Sequence, residues 1–209
     1  MKSSKNLIGL LNTLPYFSTK TMRQLGKQFE LKNATVDTYT SRFLKRGNII
    51  QLKKGLYVST DFFNKNRGDI SYIFYLANIL RTPSYVSSWT ALQYYNLTTE
   101  SIFTTTSITP KVTRTYKTKA GVFTYQSIKK ELFSGFSLVY GSSNSPVGKF
   151  DFFIASPAKA LFDLLYFKTH QFRGMRFKGI KILVEEMRID IEEMDKKDRL
   201  AFYAMIKRY

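Results

Sequence analysis

The chain has 209 residues, no cysteine, one histidine, and 33 Lys and Arg against 15 Asp and Glu, for a formal net charge of +18. That length can bury a sizeable core in one large or two small units, and a hydrophobic share of 44% with 16% aromatic residues excludes a disordered chain. The lack of cysteine excludes a disulfide framework and thiolate chemistry, and no run of about 18 apolar residues marks a membrane span.

This composition suits a cytoplasmic protein, and the charge favours a nucleic acid or another anionic surface as partner. The charge is concentrated towards the start of the chain. Residues 1–68 hold 13 basic and 3 acidic side chains (Glu30, Asp37, Asp61), a balance of +10, whereas the remaining 141 hold 20 against 12, a balance of +8.

In chain order, Leu7, Ile8, Leu10, Leu11 and Leu14 have helical spacing. Asn12 and Pro15 follow this apolar run too closely for a secretion signal, so the segment reads as a short amphipathic helix closed by Pro15. In FSTKTMRQLGKQF, Ser18 or Thr19 can cap a second helix that turns Met22, Leu25 and Phe29 inward. A turn at 30–32 follows. Asn33 is then a suitable cap for a third helix, ATVDTYTSRFLKR, which Gly47 terminates. Val36, Tyr39 or Thr40, Phe43 and Leu44 share the buried face of that helix, leaving Thr35, Thr38, Ser41, Arg42 and Lys45 opposite. Ile49-Ile50-Gln51-Leu52 and Leu56-Tyr57-Val58 make two short strands around Lys53-Lys54-Gly55. Three helices and then a two-stranded hairpin is the order of a winged helix-turn-helix.

Residues 61–68 close the polar, glycine-terminated stretch STDFFNKNRG and read as a linker. From Asp69 a second unit opens with the helix DISYIFYLANIL, and SYVSSWTALQYYNL reads as another, opened by Ser87 or Ser88. SIFTTTSIT, VTRTYKT, GVFTYQSI, FSLVYG and KFDFFIAS have the alternation and composition of strands in a twisted sheet. Ser156-Pro157 opens the helix PAKALFDLLYF, and the acid-rich tail from Ile180 reads as helical. The expected fold is therefore α+β: a winged helix-turn-helix over 1–60, a linker at 61–68, and a mixed α/β unit over 69–209 whose sheet is largely antiparallel.

A helix entering the major groove needs short hydrogen-bonding side chains that reach base edges, flanked by cations that hold phosphates. Asn33, Thr35, Thr38, Ser41 and Arg42 meet the first need, and Lys45, Arg46, Lys53 and Lys54 the second. Asp37 is an awkward acid on such a face. Two further basic groups stand apart. Lys111, Arg114, Lys117 and Lys119, with Lys129 and Lys130, interleave with Tyr116, Phe123 and Tyr125, a pattern fitting either a stacking platform for single strands or a basic sheet face with its aromatics turned inward. Arg173, Arg176 and Lys178, with Lys168 and His170, form the other, which suits DNA or an acidic protein alike.

Enzymatic readings fare worse. GSSNSPVGKFDFF places Asp151 after Gly141-Ser142 as nucleotidyltransferases do, but Phe153 stands where the second metal-holding carboxylate is needed. Glu185, Glu186, Glu192 and Glu193 beside Lys196 and Lys197 read as a solvated helical face rather than a nuclease centre. His170 lacks a Cys or His partner for a metal, and no phosphate-cradling glycine loop occurs. Neither a cofactor nor catalysis is expected.

FLKRGNIIQLKKGLYV, SYVSSWTALQYYNLTTE, TPKVTRTYKTKAGVFTYQSIKKELFSGF and ASPAKALFDLLYF follow one another over about residues 5–170. In that order the chain resembles the AbiEi-type antitoxins of type IV toxin–antitoxin (abortive infection) systems, with Ala158 before Lys159 where the pattern more often has Glu. The resemblance implies repression of the protein's own operon through the winged helix; the partner is double-stranded operator DNA, and the modest area of one module leads to an expectation of inverted repeats. It also implies a C-terminal antitoxin domain that counters a nucleotidyltransferase-like toxin encoded next door. The alternatives are a stand-alone winged-helix regulator with a ligand-sensing second domain, and a nucleic-acid-processing enzyme.

Overall fold

Residues 2–141, 150–174 and 177–208 are described by a computed structural model, apart from the side chains of Lys2, Phe177 and Lys178. Helix α1 (Lys2–Leu11) buries Leu7 and Leu11, one turn apart. It ends at Leu11 rather than running on to Pro15. The residue before a proline is steered out of the helical region, and the Thr13 hydroxyl instead closes a turn on the Leu10 carbonyl. A two-residue strand, β1 (Phe17–Ser18), leads into α2 (Thr19–Lys27). Ser18 caps α2 in a capping box: its hydroxyl accepts from the Thr21 N–H, and the Thr21 hydroxyl accepts from the Ser18 N–H.

Helix α3 (Asn33–Lys45) packs on α2 at Gly26, where an added Cβ would lie 2.5 Å from Val36 Cγ2. Gly26→Ala should therefore lower stability: overpacking costs about 1–3 kcal/mol, against a helix-propensity gain of about 1 kcal/mol. Chemical denaturation reads the result, and a midpoint at or above the parent's would contradict this close approach. Asn33 is the first residue of α3 and not its cap. The Lys32 carbonyl already accepts from the Val36 N–H, which makes Lys32 the cap, with no side-chain bond. At the other end Gly47 takes φ +72°. The Asn48 and Gly47 N–H groups then donate to the Phe43 and Leu44 carbonyls, closing the helix in a Schellman motif.

Strands β2 (Ile49–Lys53) and β3 (Leu56–Ser59) form an antiparallel hairpin with Lys54-Gly55 at its turn, and β1 pairs with the free side of β3. Ile49 and Tyr57 join a small core with Leu7, Leu11, Phe17, Met22, Val36 and Phe43. Ile50, Leu52, Leu56 and Val58 point into the larger core of the second half. The hairpin is thus a wall between two cores, which is why every residue of β3 is buried.

The expected linker is a helix. In α4 (Thr60–Asn66) the Ser59 hydroxyl caps the Phe62 N–H, and Phe62 and Phe63 enter the larger core. Burying two adjacent phenylalanine rings outweighs the polar residues around them. Helix α5 (Ile70–Leu80) follows, and the Tyr72 hydroxyl donates to the Pro15 carbonyl, 57 residues back.

The second half holds β4 (Tyr85–Val86), α6 (Ser88–Tyr94), β5 (Thr104–Thr109), β6 (Arg114–Thr118), β7 (Gly121–Ser127), β8 (Phe136–Val139) and β9 (Phe152–Ala155). The sheet order is β6-β7-β5-β4-β9-β8. Three pairings are antiparallel, but β5 with β7 and β4 with β9 are parallel, so the sheet is mixed rather than largely antiparallel. Part of the reason is β4, which lies in a stretch expected to be helical: Tyr85-Val86 is extended, and the helix starts only after the Ser87 cap. Helix α5 packs on β4, β5 and β9, with Phe74 and Phe152 edge to face at 5.2 Å.

Helix α7 (Pro157–Lys168) packs against α6 and, after α8 (Phe177–Glu186), against α9 (Lys196–Lys207), which leaves Ala158 to Tyr166 wholly buried. The tail is helical in two separate segments. Glu192 and Glu193 sit in the turns between them, and the Asp195 carboxylate caps α9 at the Asp198 N–H. Ser142 to Lys149 of the GSSNSPVGKFDFF stretch lie outside the described residues.

Candidate nucleic-acid interface

Helix α3 presents Asn33, Thr38, Ser41, Arg42 and Lys45 to solvent, with Arg46 just beyond its end and Thr35 half-buried. Positions 35, 38, 42 and 45 recur at three and four residues, so they share one face, opposite Val36, Thr40 and Phe43 in the core. Tyr39 and Leu44 are half-buried beside them. The Thr38 hydroxyl donates to the Ala34 carbonyl at 2.9 Å and the Ser41 hydroxyl to the Asp37 carbonyl at 3.2 Å. Both hydroxyls can rotate from their own helix to a ligand at little cost. Among the described residues Arg42, Lys45, Arg46 and Lys54 make no ion pair.

Asp37 is answered by Arg23 of α2, a residue the sequence reading missed. The Arg23 Nη2 donates to Asp37 Oδ2 at 2.8 Å and its Nε to Oδ1 at 3.2 Å. This two-pronged pair spans α2 and α3, and its hydrogen bond and charge raise the Arg23 pKa above the ordinary value. Both partners are nearly half exposed, so solvent screens the pair and it adds little stability. It neutralises the acid on this face and links the two helices. No local signal links positions 14 residues apart across a turn; only the misfit of Asp37 pointed to a partner.

The two lysines of the hairpin diverge. Lys54 is exposed at the turn, where Gly55 takes φ +78°. Lys53 is half-buried, and its Nζ donates to the Leu80 carbonyl at 2.6 Å, at the end of α5. It ties the hairpin to the second half, and Lys54 is the cation that the turn presents outward.

Strand β6 is the outer strand of the six-stranded sheet and packs beside β2, so Arg114, Lys117 and Lys119, all exposed, lie next to the hairpin. The aromatics of this segment turn inward: Phe123 and Tyr125 are buried, and Tyr116 stands edge-on to Tyr125 at 5.7 Å. The segment is a basic sheet face and offers no open stacking platform. Lys111 is exposed, and its Nζ donates to the Thr82 carbonyl at 2.5 Å. In the last basic group Lys168, His170 and Arg173 are exposed, while Arg176 and the Lys178 side chain lie outside the described residues.

Away from these surfaces a buried polar network joins two of the motifs. Asp163 Oδ1 accepts from Lys159 Nζ at 2.5 Å, and Oδ2 accepts from the Ser87 hydroxyl at 2.7 Å and the Tyr85 hydroxyl at 3.1 Å. The ammonium also sits 4.8 Å from the centre of the Phe162 ring. Complete burial pushes the Asp163 carboxyl up, while Lys159 and the two hydroxyls pull it back. Burial likewise pushes the Tyr85 phenol far above its usual range. Gly135, at φ +75°, lies against the Lys159 stem, where a Cβ would be 3.1 Å from Cγ. With no access to solvent, this network holds α7 to β4.

Glu185, Glu186, Glu192 and Glu193 are exposed, and Glu192 pairs with Arg199. Among the described residues no three His, Cys, Asp or Glu side chains gather as metal ligands, and no helix is long and apolar enough to cross a membrane. Comparison with protein-family models and with curated proteins finds no match.

Proposed function

We propose that residues 1–60 form a winged helix-turn-helix that binds duplex DNA, with α3 in the major groove and the hairpin turn on an adjacent minor groove or its phosphates. The observation that carries this reading is the exposed face of α3. There short hydroxyl and amide side chains and the unpaired Arg42, Lys45 and Arg46 share a side whose single acid is neutralised by Arg23. Lys54 adds a cation at the turn.

In line with the AbiEi-type resemblance, the protein acts in the cytoplasm as an antitoxin and represses its own operon. A single module of this size buries a modest area, so two copies on inverted half-sites are expected. The second half then counters a nucleotidyltransferase-like toxin, and no catalysis is assigned to it.

The test is fluorescence anisotropy on the upstream DNA and on a shuffled copy. Arg42→Ala should cost about 1–3 kcal/mol on the upstream sequence and relax sequence choice. Lys54→Ala should weaken both DNAs alike. Equal losses on both DNAs for Arg42→Ala would remove it from base reading, and equal affinity of the parent protein for both would reduce the interaction to non-specific charge. The second reading, a stand-alone regulator that senses a ligand, is favoured by one observation, a cavity beside the hairpin's anchor on α5.

A further inference from the structure

A cavity of about 290 Å³ lies between the end of α5, the 82–84 turn and strands β8 and β9. This is the lower end of the size range of small-molecule sites. Its walls are the rings of Tyr75, Phe133, Phe136 and Phe153 with the Ile79 side chain, and Asp151 is the single charged residue among the described residues lining it. Phe136 and Phe153 meet edge to face at 5.9 Å, which gives the wall a fixed shape. Asp151 Oδ1 accepts from the Gly141 N–H at 3.2 Å, and among the described residues no cation pairs with this carboxylate. Lys111, whose ammonium reaches the Thr82 carbonyl at the rim, is turned to the backbone.

Two observations bear on the polar side of this cavity. Ser84 also lines the cavity and is 5% exposed, yet its hydroxyl finds no hydrogen-bond partner among the described residues. The Tyr75 phenol is pushed up to about 12 by burial, by its neighbour Tyr16 and, last, by Asp151. A carboxylate set among aromatic faces attracts a cation twice over, by direct charge and by the ring quadrupoles. An anion would meet only repulsion.

We propose that this cavity binds a small aromatic ammonium compound, its ring among Phe133, Phe136 and Phe153 and its ammonium on Asp151. The regulatory consequence rests on the DNA-binding reading. Ile79 precedes Leu80, whose carbonyl holds Lys53 of the hairpin, and Tyr75 packs against Tyr16, one residue before β1, with ring centres 6.0 Å apart. Helix α5 therefore carries one wall of the cavity and the anchor of the hairpin, and occupancy is transmitted to the turn that presents Lys54.

Phenethylamine, with 2-phenylethanol and phenylacetate as its neutral and anionic counterparts, is the probe set, titrated into the full-length ¹⁵N-labelled protein by NMR. Phenethylamine should bind at least about tenfold tighter than the alcohol, the size expected for a charged hydrogen bond. Asp151→Asn should bring the two within about twofold, and Ile79→Trp, which fills the cavity, should remove both. No binding of any probe, or an amine preference that survives Asp151→Asn, would overturn the site. Saturating phenethylamine should also shift the Lys53–Gly55 amides and change affinity for the upstream DNA; an unmoved hairpin would overturn the coupling. A protein that binds the amine but not DNA would leave the site standing and sink the DNA-binding reading, so the two failures are distinguishable.

Discussion

Asp163→Ala is expected to destabilise the protein by about 3–5 kcal/mol, the cost of leaving a buried charge without its partner. Lys159 is 1% exposed, on a helix packed against both α6 and α9, so its ammonium lies away from water. Its remaining neighbours are the Phe162 and Tyr85 rings, which attract a cation more weakly than a carboxylate does. The substitution also strips the Ser87 and Tyr85 hydroxyls of their acceptor in the core. Replacing both ends, Lys159→Met with Asp163→Leu, should recover much of the loss, because apolar side chains of similar volume relieve the burial cost of two charges. Urea denaturation of the three proteins decides the matter. If Asp163→Ala loses under about 1 kcal/mol, the buried pair is not what holds α7 to β4.

The second large effect is on salt. About five phosphate contacts per bound copy, three from Lys45, Arg46 and Lys54 and two from Arg114 and Lys117 at the β6 edge, give a log–log slope near −4.5, so tripling the salt concentration should weaken DNA binding by roughly a hundredfold. Removing Lys45 and Lys54 together should flatten the slope by about 2. Replacing Arg114 and Lys117 asks whether the sheet edge beside the hairpin touches DNA. A flatter slope enlarges the interface to both halves of the protein, whereas an unchanged slope confines it to residues 1–60. A slope near zero for the parent protein would end the nucleic-acid reading altogether.

The parts of this fold that were legible beforehand are those whose signals are local. Helical spacing of Leu7 with Leu11 and of Val36 with Thr40 and Phe43, the capping hydroxyl of Ser18 and the closing glycine at 47 all act within one or two turns, so a single stretch of chain carries the whole cause. The misreadings share a different feature. Tyr85-Val86 is too short to show alternation and is extended only because β5 and β9 flank it. Residues 61–66 looked like a polar spacer because what orders them, the pocket that receives Phe62 and Phe63, is supplied by Tyr72 and Phe150. Lys53 looked equivalent to Lys54, and only a carbonyl 27 residues away separates their roles.

The amino-acid order alone therefore determined the three helices and the hairpin of the first sixty residues, the concentration of positive charge there, and the polar face of α3, but not the short strand β1 that pairs with β3. Tertiary structure alone decided that the hairpin is shared between two cores, that Asp37 is neutralised by Arg23, that Lys159 and Asp163 are buried with Tyr85 and Ser87, and that the Asp151 carboxylate faces an aromatic cavity. The reason is physical: helical period, caps and turns are properties of neighbours in sequence, whereas burial and charge pairing are properties of neighbours in space, and those exist only once distant segments have packed.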